Sequence, residues 1–273
     1  MIRVDNLGMT YPGGIRALAP TDLEFHAGEF TVLLGPSGAG KSTLLRCLNL
    51  LIAPSSGKIT SKNLGELTGR KKIRQHRRST GMIFQQHQLI SRHTALDNVM
   101  IGRVGYYGAW RSLFPLPQKD KVFGLTCLER VGLLDKALIR VDRLSGGEQQ
   151  RVGIARALAQ EPKMILADEP VASLDPATAQ HVLSLLHRIC KTENIPAIVS
   201  LHQVHLARQF ADRIVGLAQG RLVFDGPPAA LAEAELELIY GSQAGDAGSP
   251  EVEAAAAMTP FTLPQLSPMQ PSS

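Results

Sequence analysis

The nine residues Gly35-Pro36-Ser37-Gly38-Ala39-Gly40-Lys41-Ser42-Thr43 constrain this chain more than any others. They lie between an apolar run, Phe30 to Leu34, and a helix-forming run, Leu44 to Leu51. Strand, glycine-rich turn and helix in that order, with G-x-x-x-x-G-K-S spacing, predict a phosphate-binding loop. The glycines open backbone angles closed to other residues, so successive N–H groups can turn inward around a polyphosphate. The helix that follows presents unsatisfied N–H groups and a partial positive charge to the same anion. Lys41 is placed to reach the β- and γ-phosphates of a nucleoside triphosphate, and the Ser42 hydroxyl to bind Mg²⁺.

The rest of the 273 residues must say what such a site drives. A content of 44% hydrophobic and 19% charged residues describes a soluble globular protein. No uninterrupted apolar run approaches the roughly 18 residues of a membrane span. Met1-Ile2-Arg3-Val4-Asp5 does not open a signal peptide. Cys47, Cys127 and Cys190 are widely spaced and odd in number, which suggests neither a disulfide framework nor a zinc site. A reducing, cytoplasmic setting is expected. The net charge is +5, and residues 241–273 hold three acids and no Lys or Arg, which leaves +8 on residues 1–240. Six of the cations cluster as Arg70, Lys71, Lys72, Arg74, Arg77 and Arg78. Nucleic acid is one reading of that cluster; a solvated helix face near a membrane surface or an acidic partner is the other. No aromatic residues interleave to stack on bases, which favours the second.

In chain order, residues 1–34 alternate apolar and polar side chains around turns at 11–14 and 26–29, which predicts antiparallel strands feeding the strand before the loop. A turn at 53–57 and a short strand at 58–60 follow. Gly81 to Gln86 reads as a strand ending in two amides. From about 88 to 148 the pattern is helical, with a looser segment between Gly102 and Gln118. Leu144-Ser145-Gly146-Gly147-Glu148 opens a helical run to Gln160. Ser145 and Glu148 fit a capping box, and the two glycines offer a second place where N–H groups can meet a phosphate. Met164 to Pro170 is a buried-type strand ending in Asp168 and Glu169; in a parallel sheet both acids fall beside the phosphate loop. Ser173 to Pro176 starts a helix, with helical periodicity from Ala179 to Ile189. Ala197 to Leu201 is another buried strand, ending at His202. Strands at 213–217 and 221–224 and a helix from Ala229 to Tyr240 complete this part. From Gly241 onward, Ala, Ser, Gln and five prolines predict a disordered tail.

Over residues 1–240 these motifs resemble, in order, those of the ATPase subunit of ATP-binding cassette (ABC) transporters. GPSGAGKST looks like the Walker A loop, Gln85 falls at the Q-loop, LSGGEQQ (144–150) is similar to the signature motif, MILADEP (164–170) looks like Walker B with its glutamate, and SLD (173–175) and His202 fit the D-loop and switch histidine. The resemblance implies an α/β fold: a RecA-like P-loop NTPase core (1–87 and 149–240) with an antiparallel β-subdomain and an inserted α-helical subdomain (88–148). It implies ATP and Mg²⁺ as ligands. Gly35 to Thr43, Ser145, Gly146, Gly147, Glu148 and Asp175 would bind nucleotide, with Tyr11 stacked on adenine. Ser42 and Gln85 would ligate Mg²⁺, with Asp168 holding the ion through water; Lys41, Glu169 and His202 would act on the γ-phosphate. The implied partners are a second copy in a head-to-tail dimer, membrane-spanning permease subunits at the cytoplasmic face of the inner membrane and, indirectly, a solute-binding protein.

Stretches such as GMIFQQHQLI (81–90), GRVGYYGAWRSLF (102–114) and LHQVHLARQFADRIVGLAQGRLVFDGPP (201–228) look more particularly like ATPases of bacterial phosphonate importers. Ser61 to Thr68 looks shortened against that pattern, and the tail departs from it. An ATPase of this kind never touches the solute, so an importer of phosphite, phosphate or another small nutrient stays open, as does an accessory ATPase without a permease. A soluble cassette acting on nucleic acid is disfavoured, because there is one phosphate loop and no sustained heptad repeat.

Overall fold

Period-two alternation in four short strands builds the molecule's two apolar cores. In the computed structural model, which describes residues 1–85, 88–107 and 117–241, β3 (Phe30–Leu34), β7 (Met164–Ala167), β8 (Ala197–Leu201) and β9 (Arg213–Ala218) lie in one six-stranded sheet. Phe30, Val32, Leu34, Ile165, Ala167, Ala197, Val199, Leu201 and Ile214 enter one core. Leu33, Met164, Leu166, Ile198, Val215 and Leu217 enter the other. Covering both faces explains why these strands read as nearly continuous apolar runs, interrupted by Thr31 and Ser200 and opened at β9 by Arg213.

The sheet order is β10-β9-β3-β8-β7-β6, where β6 is Thr80–Ile83 and β10 is Arg221–Gly226. Strands β9, β3, β8, β7 and β6 pair in parallel, and β10 closes the edge antiparallel to β9. A second, antiparallel sheet takes β1 (Ile2–Thr10), β2 (Arg16–Phe25), β4 (Ser56–Ser61) and the two-residue β5 (Gly65–Glu66) in the order β2-β1-β4-β5. The stretch Ser61 to Thr68 is thus a tight hairpin. Helix α1 (Lys41–Leu48) buries Leu44, Leu45, Cys47 and Leu48 in the core that the two sheets share.

The basic cluster forms α2 (Gly69–Arg78). It is not a wholly free cationic face: Arg77 donates to the Leu50 carbonyl, and the Arg78 guanidinium lies 3.8 Å from the Tyr106 ring centre. Helices α3 (Ala95–Val104) and α4 (Gln118–Arg130) pack on each other and on α5 (Gly146–Leu158), as the helical character of 88–148 predicts. Arg103 of α3 pairs with Asp120 of α4 and, just past the end of α5, with Glu161 and the Ala159 carbonyl. Helix α6 (Pro176–Thr192) follows β7, and the short α7 (Val204–Phe210), which the sequence pattern does not reveal, follows β8. The helix expected from Ala229 to Tyr240 is divided. A 3-10 turn at Pro228–Ala230 precedes buried Leu231, and α8 (Glu233–Tyr240) starts two residues later.

The three cysteines are free and buried. Burial pushes Cys47 and Cys190 up to about 12, so neither carries a reactive thiolate. Among the described residues no helix is long and apolar enough to cross a membrane. All described residues belong to one unit, Met1–Ser242. The tail from 242 onward, Gln86 and the stretch 108–116 lie outside them.

Candidate nucleotide site

Four loops leave the carboxyl ends of four adjacent parallel strands, and each carries part of the predicted site. The phosphate loop follows β3, His202 follows β8, Asp168 and Glu169 follow β7, and Gln85 lies two residues beyond β6. Ligands of open parallel sheets collect at this edge.

The loop 35–40 is fixed by close approach of backbone. Gly40 caps α1 at φ +100°, and a Cβ there would sit 2.6 Å from the Ala17 carbonyl oxygen. At Gly35 it would sit 2.2 Å from that of Leu217. The β9–β10 turn holds the loop from outside, with the Gly220 amide donating to Ala39 O at 3.1 Å. Inside, the buried Lys41 ammonium donates to the carbonyls of Gly35 (2.7 Å) and Pro36 (2.9 Å). Burial lowers the Lys41 pKa to about 8, against upward pulls from Glu169 and Asp168. The helix N-terminus has no acidic residue in its first turn to compete with an anion.

Ser42 and Asp168 meet as expected, Ser42 Oγ donating to Asp168 Oδ1 at 2.8 Å. A third residue, which sequence reasoning passes over, completes this corner. Ser200 Oγ donates to the same carboxylate oxygen at 3.0 Å and accepts from the Glu169 amide at 2.8 Å. It locks the ends of β7 and β8 together. The only sequence signal for Ser200 is a fully buried hydroxyl in an otherwise apolar strand.

Glu169 stands in the left-handed region, at φ +47°. Its carboxylate is hydrogen-bonded by His202 Nε2. That bond holds the carboxyl below its ordinary value; burial opposes it, and the charges of His202 and Lys41 pull further down. Held in this way the carboxyl stays ionised at neutral pH, and a lowered pKa makes it the weaker base.

The hard oxygens of Ser42 and Asp168 fit Mg²⁺, which takes few protein ligands and fills its octahedron with phosphate and water. Among the described residues no group of three or more His, Cys, Asp or Glu could hold a metal. Gln85 is exposed, in a turn. Tyr11 is half-exposed beyond β1, its hydroxyl 3.4 Å from Thr43 Oγ1.

The signature residues gather elsewhere. Ser145 caps α5, Glu148 N donating to its Oγ while Ser145 N donates to Glu148 Oε2. Glu148 also pairs with Lys136, and these bonds, that to Lys136 first, hold its carboxyl down. A Cβ on Gly147 would lie 2.3 Å from Thr178 Cγ2. Asp175, exposed, caps α6 by accepting from the Thr178 amide at 3.0 Å. Gly147 and Asp175 thus meet at Thr178. Among the described residues no hydrogen bond joins Ser145–Glu148 to the 35–43 loop.

These elements define a phosphate-loop ATPase of the α/β type. The family model described as ABC transporter matches residues 18–172, and the chain belongs to that family as its ATP-binding cassette. It is 61% identical over 242 residues to the phosphonates import ATP-binding protein PhnC 3 of Nostoc sp., covering 89% of this chain and 92% of that one. It is 62% identical over 243 residues to the phosphite import ATP-binding protein PxtA of Stutzerimonas stutzeri, covering 89% and 88%. Among solved structures, a dimeric ATP-binding cassette in a post-hydrolysis state with ADP and Pi matches with a TM-score of 0.74 at 33% identity, covering 85% of this chain and all of that one.

Proposed function

We propose that this ATPase powers import of phosphonate, working as one of two identical subunits beneath a membrane-spanning permease that receives solute from a binding protein. The observation that carries the catalytic part is the meeting of Lys41, the Ser42–Asp168 pair and the Glu169–His202 pair along one sheet edge. Phosphate-loop chemistry is mostly positioning and charge neutralisation, and these are the groups it needs. Mg²⁺, when bound, would neutralise charge on the β- and γ-oxygens. Ser42 and Gln85 would ligate it directly and Asp168 through water. Lys41 would exchange its two carbonyl partners for phosphate oxygens. Glu169 would orient and deprotonate the attacking water, and His202 would contact the γ-phosphate. Tyr11 would stack on adenine.

One copy covers only one side of the triphosphate. Ser145, Gly146 and Gly147, with Glu148 and Asp175 beside them, would close the other side from the second copy, arranged head to tail. Charge-assisted hydrogen bonds of about 1.5–3 kcal/mol each make such a clamp dependent on the γ-phosphate and loosen it after hydrolysis. The helical subdomain, 88–148, would dock on the permease at the cytoplasmic face of the inner membrane, with Gln85 linking it to the nucleotide.

The solute rests on kinship with phosphonate import proteins. Phosphite is the second reading, carried by the 62% identity to a phosphite import protein. Solute-stimulated ATP hydrolysis by the reconstituted importer decides between them. Stimulation by phosphonates above phosphite and phosphate is expected; stimulation by phosphite alone overturns the first reading.

A further inference from the structure

His202 is the first residue past β8, whose pairing with β3 ends at Leu201. Its carbonyl therefore leaves the sheet ladder just where the imidazole must be aimed. The donor to that carbonyl comes from far along the chain: Tyr240, the last residue of α8, whose hydroxyl lies 3.1 Å away. Helix α8 is not free to drift. Ile239 is fully buried against β9, where a Cβ on Gly216 would sit 2.6 Å from Ile239 Cδ1. Burial pushes the Tyr240 phenol up, and a backbone hydrogen bond from Gly35 opposes it, so the same oxygen also faces the first residue of the phosphate loop.

We infer that Tyr240 is a positioning residue for ATP hydrolysis, fixing the backbone of His202, and with it the ring that bonds Glu169, from the C-terminal helix. The inference rests on His202 serving the γ-phosphate. Misplacing a reacting group by about 1 Å can cost about 10²-fold in rate, so losing one of the restraints on His202 should cost about tenfold.

The test is a double-mutant cycle on the full-length protein, read as steady-state phosphate release. Tyr240→Phe keeps the ring and removes only the hydroxyl. It should lower kcat about tenfold with KM for ATP unchanged, since ATP contacts remain, and the melting temperature should fall by no more than the few degrees that one lost hydrogen bond costs. In a His202→Ala background the same change should cost less than about twofold, because the group it positions is gone. Wild-type kcat for Tyr240→Phe, or an equal loss in both backgrounds, overturns the proposal. Full turnover by His202→Ala alone removes the role of His202, and the positioning role falls with it.

Discussion

Raising the pH from 7 to 9 leaves an ordinary lysine charged, because its pKa lies near about 10.4. Lys41 should behave differently, since burial brings it to about 8 in the free protein. A triphosphate bound as proposed would place several negative charges beside its Nζ and raise it again, so binding would take up a proton wherever the free lysine is neutral. The terminal phosphate, with a second pKa of about 6, is already ionised across this range and contributes no slope. The protonated fraction of the free site falls from about nine-tenths at pH 7 to about one-tenth at pH 9, and affinity for ATP should fall about tenfold, or ~1.4 kcal/mol.

Stability moves the other way. A lysine whose folded pKa is depressed is deprotonated first in the folded state, so the unfolded chain binds more protons between about 8 and about 10.4. Over that window the free protein should gain up to about 3 kcal/mol relative to Lys41→Met. Calorimetric titration of ATP into a Glu169→Gln variant, in two buffers of different ionisation enthalpy, checks the first effect. Uptake of more than about half a proton at pH 8 is expected, because this variant also removes the upward pull of Glu169 on Lys41. Equal Kd at pH 7 and pH 9 with no proton uptake would refute the reasoning.

Glu169→Gln should cut steady-state turnover by about 10²–10⁴-fold while ATP still binds, measured as phosphate release beside a binding isotherm. Ser200→Ala strands the Glu169 amide and should cost about 1–3 kcal/mol in urea unfolding, with kcat reduced as well. Gly147→Ala forces a methyl into Thr178 Cγ2 and should destabilise by about 1–3 kcal/mol. Thr178→Ser, which deletes that carbon, should restore the lost melting temperature; no rescue would place the fault elsewhere. His202→Ala removes the largest downward pull on the Glu169 carboxyl, so the acid limb of the residual kcat profile should move to higher pH.

What could be read from the sequence was whatever follows from strand and turn chemistry. Phe30–Leu34, Met164–Ala167 and Ala197–Leu201 are apolar but for Thr31 and Ser200 because both faces are covered, and their ends point to where ligands gather. Ser145 and Glu148 announce a capped helix three residues apart, and the structure has that helix. Features that depend on remote partners were silent. Ser200 looks like one polar residue in a strand until Asp168 and the Glu169 amide stand beside it. The second glycine of the signature looks like a phosphate contact, yet within one chain its demand is steric and comes from Thr178, 31 residues further on. Helix α7 spans only seven residues, too few for periodicity to show. Tyr240 ends a helix whose partner, the His202 carbonyl, is fixed only once the sheet has formed.

Glu169 shows why these positions belong together. Burial of a carboxylate raises its pKa and makes it a stronger base. In the structure desolvation does push upward, but the His202 hydrogen bond outweighs it. A carboxylate that accepts a hydrogen bond from that imidazole is a weaker proton acceptor than a free one. A γ-phosphate that drew His202 away, as proposed, would leave the burial in place and remove the larger opposing influence, so the carboxyl would rise as it was released. On that reading one hydrogen bond would couple base strength to the presence of substrate. The backbone supports this arrangement at a cost. A residue with a side chain at φ +47° carries about 1–3 kcal/mol of strain, which glycine would relieve. The Ser200 hydroxyl on the Glu169 amide holds the strained turn, and the strain sets the direction in which the carboxylate leaves the chain, toward His202. Relaxing the backbone to an ordinary helical or extended angle would swing that carboxylate off its partner, and the coupling would be lost with the chemistry intact in every other residue.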